Sequence, residues 1–121
     1  GVVDVRDVAD LHVLALDAPQ AAGQRFLATA GDFLTLGTMG RILHDGLGSD
    51  GRKAPTREIP NWLARAAARF IPALAAQAPN IGRPRNATSA KARELLGWAP
   101  RPADEVVLTT GRSLVELGLA P

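Results

Sequence analysis

Two arginines in a short loop are the residues best suited to bind a ligand. Arg83 and Arg85 occur in the sequence Gly82-Arg83-Pro84-Arg85-Asn86, just before a predicted helix. A guanidinium group presents its N–H donors as a rigid fork, which suits anionic and polar ligands. The two side chains could hold such a ligand, or they could form salt bridges with acidic residues on neighbouring elements.

Residues 46–51 read Gly-Leu-Gly-Ser-Asp-Gly and match the dinucleotide-binding pattern G-x-G-x-x-G letter for letter. That pattern binds a pyrophosphate only between a strand and the N-terminus of a helix, where the backbone and the helix dipole meet the phosphates. Here a predicted helix precedes the motif, and the residues 52–55 that follow it include a proline and do not open a helix. We therefore interpret the match as a coincidence.

The remaining candidate groups favour structural roles. His12 and His44 are far apart in the sequence and have no carboxylate or cysteine at metal-ligand spacing, so no metal site is predicted. His12 falls on a mostly apolar helix and is predicted to be packed and hydrogen-bonded. Asp7 is predicted to cap that helix, and a role for Asp4 in a site stays open.

Five basic residues are close in the sequence and could bind phosphates: Arg52, Lys53, Arg57, Arg65 and Arg69. The formal net charge of the chain is nevertheless only +2, because acidic residues elsewhere balance most of the positive charge. A solvated basic face is therefore the favoured interpretation, and nucleic-acid binding is the third of three functional hypotheses.

The length and composition of the chain limit the class of protein to which these residues belong. With 121 residues, 46% of them apolar and 21% charged, the chain suits one compact domain rather than a disordered segment. It has no cysteine, which excludes disulfides and favours a reducing, cytoplasmic location. No apolar run approaches the ~20 residues that cross a bilayer, so no membrane partner is expected.

The apolar pattern predicts the elements that would position these side chains. Three short strands are expected at residues 2–5, 25–30 and 58–59. Helices are expected to begin after Asp7, after Asp32 or Thr35, near Asn61, at Thr88 and near Ala103. The strand–helix–strand order of residues 1–30 suggests a unit of a parallel sheet. Three strands are few for so much helix, so we expect unpaired edges and self-association into a homo-oligomer.

Four segments together resemble the extended short-chain dehydrogenases/reductases, the NAD-dependent epimerase/dehydratase group. Residues 3–12, VDVRDVADLH, resemble the family segment VDVRDVAxAH, and residues 23–30, GQRFLATA, resemble GxRFIAS. Residues 55–63, PTREIPNWL, are similar to PTRxLPNxL of the dihydroflavonol-reductase-like branch. Residues 89–101, SAKARELLGWAPR, are similar to SxxKARxLLGWxPR. The four segments occur in the family's order and together extend over almost the whole chain.

The resemblance implies an α/β fold. The chain would be a mostly helical substrate lobe with two or three short strands that belong to a Rossmann-type parallel sheet. Residues 1–30 would form the sheet-associated βαβ part and residues 31–121 the helical lobe. All of 1–121 would then be the C-terminal substrate-lobe segment of a longer enzyme.

The family transfers a hydride between NAD or NADP and a carbonyl, alcohol or sugar-nucleotide substrate, with a Tyr-x-x-x-Lys pair as its catalytic residues. This chain contains no tyrosine and no Gly-rich turn between a strand and a helix. The resemblance therefore assigns it no catalytic and no cofactor-binding residues, and we expect it neither to bind NAD(P) nor to turn over substrate alone. The second hypothesis is a stand-alone, non-catalytic binding or interaction module.

Substrate recognition is the role that the resemblance leaves to this segment. The loop containing Arg83, Arg85 and Asn86 corresponds to the family region where an arginine contacts the substrate, so these three residues are the predicted substrate-binding set. The loop is shorter than in sugar-nucleotide epimerases, which favours a smaller aldehyde or ketone. An apolar pocket or the core is expected to contain the larger side chains of the third helix, namely Trp62, Leu63 and Phe70.

Overall fold

The structure is a computed structural model that describes residues 1–58, 60–71 and 86–120. Within these ranges the chain forms helices and turns and no strand or sheet. The expected α/β fold is therefore wrong for the described residues. The described residues contain five helices, α1 (Val5–Asp17), α2 (Leu36–Gly46), α3 (Asn61–Ala67), α4 (Ala90–Leu96) and α5 (Ala103–Glu116), with 3₁₀ turns at Pro19–Ala21 and Asp50–Lys53.

The segments predicted as strands lack the partners that a sheet requires. One backbone hydrogen bond joins the first two, from the Ala30 N–H to the Val2 carbonyl at 2.8 Å. A β-ladder needs a series of such bonds, and short strands are stable only when a neighbour satisfies their backbone. Val5 belongs to α1, and Glu58 is not in a strand. Ile59 is outside the described residues.

Helix α1 begins earlier than the sequence predicts, because its N-cap is Asp4 and not Asp7. The Asp4 carboxylate accepts the backbone N–H of Arg6 at 2.8 Å. Asp7 is then inside the first turn of the helix, where it is buried. Two aspartates three residues apart can each cap a helix, and the sequence alone does not distinguish them.

Other helix ends are confirmed. The Thr35 hydroxyl accepts the Thr38 N–H at 3.0 Å and so caps the start of α2. Helix α4 ends at Gly97, whose φ of 65° is the left-handed conformation that glycine adopts without strain. Helix α5 is followed by Gly118, also at φ 65°. In each case a residue next to the helix satisfies its backbone, so the signal is local.

The helices pack as two groups. In the first, α1 contacts α4 and the turn Pro19–Ala21. Its buried apolar residues are Leu11, Ala92, Leu96 and Trp98, with smaller contributions from the surrounding Val3, Ala15, Ala18, Ala21, Phe26 and Ala28. Trp98 directly follows the Gly97 turn, so the end of α4 places this large side chain against α1.

In the second group, α2 contacts α5 and the turn Asp50–Lys53. Val106 and Val107 are its buried side chains on α5. Glycines allow the close approach: Gly40 lies against the Pro55 carbonyl, and Gly111 lies against the Leu43 side chain. Because there is no Cβ at these positions, helix and loop can touch directly.

Candidate functional site

The densest group of charged side chains in the described structure lies at the start of α1. The Arg6 guanidinium donates to the Asp4 carboxylate through Nε at 2.9 Å and Nη2 at 2.7 Å. The same carboxylate caps the helix through the Arg6 backbone N–H. Asp4 therefore accepts three hydrogen bonds from one neighbouring residue, a geometry that fixes its position.

Asp7 connects this group to the other end of the chain. Its carboxylate accepts the Arg101 backbone N–H at 2.9 Å and forms an ion pair with the Arg101 guanidinium. Its backbone carbonyl accepts the Trp98 indole N–H at 2.7 Å. Glu105, in the first turn of α5, lies 3.8 Å from Arg101 Nε. Residues more than 90 positions apart thus meet at one point.

These contacts set the electrostatics of the group. The side-chain hydrogen bond from Arg6, followed by its backbone N–H, holds the pKa of Asp4 well below the usual range. Burial opposes this effect, and the positive charge of Arg101 adds to it. The hydrogen bond to Asp4 in turn raises the pKa of Arg6. Both groups are therefore charged at neutral pH.

The charged side chains at the start of α1 have a structural role. Asp4 and Asp7 are 6% and 4% exposed, and no described buried side-chain nitrogen or oxygen lacks a partner. A general base or ligand site needs a lone pair or donor that faces a space where a ligand can enter. Here the donors and acceptors bind one another, so the cluster joins α1 to the Trp98–Arg101 segment.

An open cleft is lined by residues that directly follow Asn86 in sequence and by Gly31 and Asp32. It has a volume of about 230 Å³, and its lining residues are Gly31, Asp32, Ala87, Thr88, Ser89, Ala90 and Arg93. Asn86 is exposed and directly precedes this lining in sequence. Arg83 and Arg85, the other two predicted substrate-binding residues, lie outside the described residues, so their prediction is untested.

The cleft is lined by one positively charged residue, Arg93, and one negatively charged residue, Asp32. The Arg93 Nε donates to the buried Ser89 hydroxyl at 3.3 Å, and Asp32 supplies a carboxylate. The Thr88 hydroxyl accepts the Ala90 N–H at 3.1 Å. A guanidinium and a carboxylate in one cleft suit a neutral ligand with hydroxyl and carbonyl groups better than a highly charged one.

A second cleft, of about 280 Å³, lies at the G-x-G-x-x-G segment. Gly46, Leu47 and Asp50 line it from one side, and Arg112, Val115 and Glu116 from α5. The segment begins at the last residue of α2 and continues into a 3₁₀ turn, so no strand precedes it. The carboxylates of Asp50 and Glu116 would repel a pyrophosphate, and the single guanidinium of Arg112 does not outweigh them. The residues present do not fit a dinucleotide.

The two histidines are on separate elements. The His12 Nδ1 lies 2.7 Å from the Val8 carbonyl on an exposed side of α1. The prediction that His12 is packed is therefore wrong, and the prediction that it is hydrogen-bonded is confirmed. The His44 Nδ1 lies 3.0 Å from the Asp45 carboxylate, also exposed. Among the described residues no three histidine or acidic side chains converge as a metal site.

The predicted basic cluster is exposed on three elements. Arg52 and Lys53 are in the second 3₁₀ turn, Arg57 is in the following loop, and Arg65 and Arg69 are on or directly after α3.

The apolar side chains of α3 do not form the expected core or pocket. Trp62 is 71% exposed, Leu63 is 45% exposed, and Phe70, just beyond the helix, is 84% exposed. Among the described elements α3 makes no extensive packing contact with another helix. The sequence could not show this, because helical spacing of apolar residues marks a face but does not supply the surface that covers it.

The contact of Asp7 with Arg101 and Trp98 was not predicted from the sequence. A signal was present, since these three residues lie inside two of the segments that carry the family resemblance. No protein-family model, curated protein or solved structure matches the chain significantly. None of the described helices combines the length and the hydropathy that a membrane span requires.

Proposed function

We propose that this chain is the C-terminal, substrate-binding part of an NAD(P)-dependent reductase or epimerase that acts on a carbonyl, alcohol or sugar-nucleotide substrate. The proposal rests first on the four ordered segments that resemble the extended short-chain dehydrogenases/reductases. In this proposal the dinucleotide fingerprint and the Tyr-x-x-x-Lys pair are supplied by residues outside this sequence. No catalytic step is assigned to the residues of this chain.

The observation that supports this most is the contact between two of those segments. Asp7, from the VDVRDVA segment, binds the Arg101 side chain and backbone, and its carbonyl accepts the Trp98 indole N–H from the GWAPR segment. Chance matches scattered along a sequence have no reason to meet in space through their most specific residues. Their meeting favours a shared structural unit, with the tryptophan and arginine as its closing contacts.

The cleft beside Asn86 is the proposed contact with the substrate. Ser89 is 4% exposed and fixed by Arg93, while Asp32 faces the cleft from another segment. About 230 Å³ is below the volume of a typical drug-sized ligand site. The size and mixed charge favour a small ligand with hydroxyl and carbonyl groups over a nucleotide diphosphate.

A nuclear magnetic resonance titration of the isotope-labelled chain tests this role. With a small hydroxy-ketone at millimolar concentration, we expect amide shifts at residues 87–93 and near Asp32, and none at the α2–α5 cleft. The Arg93→Ala variant is expected to lose these shifts, whereas Arg112→Ala, an arginine of the other cleft, keeps them. The absence of shifts at residues 87–93 overturns the substrate site.

A calorimetric titration with NAD and NADP tests the missing cofactor site. We expect no heat of binding, because the Gly46–Gly51 segment lacks the strand and carries the wrong charges. Binding of either cofactor by the chain alone contradicts the proposal. This measurement is independent of the substrate titration, so the two parts of the proposal can fail separately.

The alternative is a stand-alone, non-catalytic interaction module, and the exposed apolar side chains favour it. Val5, Leu36, Trp62, Phe70 and Leu117 are each more than two-thirds exposed, and large exposed apolar areas are typical of interaction surfaces. The coding region before Gly1 separates the two hypotheses. A Gly-rich turn and a Tyr-x-x-x-Lys pair encoded there support the enzyme, and a start codon directly before Gly1 supports the module.

A further inference from the structure

Helix α3 and the turn after it expose four large apolar side chains. Trp62, Leu63, Phe70 and Ile71 are 71%, 45%, 84% and 46% exposed. The backbone continues in helical turns beyond Ala67, because the Ile71 N–H donates to the Ala67 carbonyl at 3.0 Å. The four side chains therefore belong to one continuous segment, and we call them the α3 surface.

Only small side chains of this segment face the rest of the chain. Ala68 is 6% exposed, and Ala64, four residues earlier on the same side, is partly buried. At 3.6 residues per turn, the opposite side consists of Trp62, Ala66 and Phe70, all of them exposed. The side of α3 that points away from the protein is thus apolar.

Two arginines border this apolar side. Arg65 and Arg69 are exposed and four residues apart, so they form a row next to Trp62. Within the described part of the chain, no carboxylate lies at ion-pair distance from Arg69. The charge of Arg69 is therefore free to meet an anionic partner.

The sequence around α3 keeps acidic groups away from it. Between Glu58 and Glu94 there is no aspartate or glutamate, but there are six arginine or lysine residues. The Glu58 carboxylate accepts the Thr35 hydroxyl at 2.5 Å and lies 3.9 Å from Arg41, so it is engaged at α2. The charge beside the α3 surface is consequently positive.

Helix α1 provides the contrast. It also exposes apolar side chains, since Val5 and Leu16 are 79% and 85% exposed, but its exposed polar residues include Asp10 and Asp17. Acidic side chains repel an anionic surface, whereas the arginines of α3 attract one. The same arginines oppose a second copy of α3 as the partner, because pairing would bring like charges together.

We propose that the α3 surface binds an anionic lipid bilayer, with its apolar side chains at the level of the headgroups and its arginines on the lipid phosphates. Aromatic and aliphatic residues on one side of a helix, with arginines beside them, are typical of helices that lie in a bilayer surface. Such a helix needs one apolar face, whereas the expectation of no membrane partner rested on the lack of an apolar run that crosses a bilayer. This proposal goes beyond the substrate-binding role and does not depend on it.

Cosedimentation of the chain with vesicles tests the proposal. One set of vesicles is pure phosphatidylcholine, and in the other set about one-third of the lipid is phosphatidylglycerol. We expect binding to the anionic vesicles to be stronger by about tenfold or more, because each arginine near an anionic surface contributes about fivefold. No binding to the anionic vesicles, or equal binding to both sets, overturns the proposal.

Two pairs of matched variants locate the binding surface. Phe70→Ser should weaken binding by about tenfold or more, whereas Leu16→Ser, at an equally exposed residue of α1, should leave it unchanged. Arg69→Gln should weaken binding about fivefold, and Arg112→Gln on α5 is its control. Equal effects within either pair overturn the α3 surface as the site.

A gain-of-binding variant separates loss of contact from loss of folding. Ala66→Leu adds an apolar side chain to the exposed row and should strengthen binding to the anionic vesicles about tenfold. Circular dichroism of all the variants should match that of the parent, since each changed residue is exposed. An Ala66→Leu chain that binds no better than the parent contradicts the proposal.

Fluorescence quenching tests whether α3 itself enters the bilayer. Phosphatidylcholine with brominated acyl chains quenches a tryptophan that inserts, and we expect it to quench Trp62 and not Trp98, which is 2% exposed. Trp62→Phe should therefore still bind the anionic vesicles but lose the quenching. Quenching that persists in Trp62→Phe would contradict insertion through α3.

A single-stranded nucleic acid is the competing anionic partner, since aromatic side chains stack on bases and arginines bind phosphates. The aliphatic Leu63 and Ile71 favour acyl chains over bases. Fluorescence anisotropy of a labelled oligonucleotide provides the comparison, and we expect no binding under the conditions of the vesicle experiment. Binding of the oligonucleotide without binding of the anionic vesicles overturns the proposal in favour of nucleic acid.

Discussion

The contact of α1 with residues 98–101, which follow α4, depends on polar bonds, whereas the contacts of α2 with the Pro55 loop and with α5 depend on glycines, which have no side chain. In the first region Trp98 is 2% exposed and donates to the Asp7 carbonyl, while Asp7 binds Arg101. In the second region Gly40 and Gly111 allow close approach and no comparable ion pair is found among the described residues. Directed bonds fix one arrangement of residues distant in sequence, whereas glycine contacts fix only how near two elements can come.

This difference predicts which kind of substitution lowers the stability of each region. Removing one partner of a buried charge pair leaves the other without compensation, so the α1–α4 region should be sensitive to loss of atoms. A region built on close approach has no room for added atoms, so the α2–α5 region should be sensitive to gain of atoms.

The largest effect is expected from Arg101→Ala. The Asp7 carboxylate is 5% exposed and would lose its ion pair, which should lower the free energy of unfolding by about 3 kcal/mol. Urea denaturation followed by circular dichroism measures it. Arg112→Ala, on the exposed side of α5, is the control and should change stability by less than about 0.5 kcal/mol. Equal losses in the two variants would contradict a special role for Asp7.

A loss of about 2 kcal/mol is expected from Gly40→Ala, although alanine favours a helix by about 1 kcal/mol over glycine. The new Cβ would meet the Pro55 carbonyl, which is backbone and cannot rotate away. Gly111→Ala is the matched variant on α5, where the new atom meets the ends of the Leu43 and Leu47 side chains. These can rotate, so its loss should be the smaller one in the same urea experiment. The reverse order would refute the close approach at Pro55.

Trp98→Phe removes one hydrogen bond and part of the ring while keeping an aromatic side chain. Loss of the bond to the Asp7 carbonyl leaves a buried acceptor without its partner, which should destabilise the chain by about 1–2 kcal/mol. Trp62→Phe makes the same change at a residue that is 71% exposed and should be nearly neutral. Thermal unfolding of both variants gives the comparison, and similar melting temperatures would count against a buried Trp98.

The smallest effect concerns pH. Folding lowers the pKa of Asp4, so its stabilising contribution is complete above the ordinary carboxyl pKa of about 3.9 and is lost as pH falls towards the folded-state pKa. Stability should therefore decline below about pH 5. Asp4→Asn, which can still cap α1, should decline less steeply in urea titrations from pH 6 to 2. Asp10→Asn on the same helix is the control; an identical slope for all three chains would refute the prediction.

Local signals predicted the start of α2 and the end of α4. Thr35 at the start of α2 and Gly97 at the end of α4 act on backbone groups within four residues, so the sequence contains all of the interaction. The strands failed for the opposite reason. A strand is stable only beside another, and the apolar residues at 2–5 and 25–30 do not indicate whether a partner exists.

The substrate-binding set stays a prediction, because Arg83 and Arg85 lie outside the described residues and Asn86 only precedes the lining of a cleft in sequence. The prediction that a helix precedes the G-x-G-x-x-G segment is confirmed. The pairing of Asp7 with Arg101 was not predicted, because the two residues are 94 positions apart and only the folded chain brings them together. The exposure of Trp62 and Phe70 likewise depends on what packs against α3, which helical spacing does not show.

The start of α2 at Thr35, the ends of α4 and α5 at Gly97 and Gly118, and the lack of tyrosine and cysteine follow from the sequence. Those properties depend on single residues or on neighbours a few positions apart. The tertiary structure alone decided that Asp7 would anchor the Trp98–Arg101 segment, and that one apolar face of α1 would be buried and the other exposed. Such outcomes depend on which distant surfaces meet, because burial and ion pairing are properties of pairs of segments and not of one.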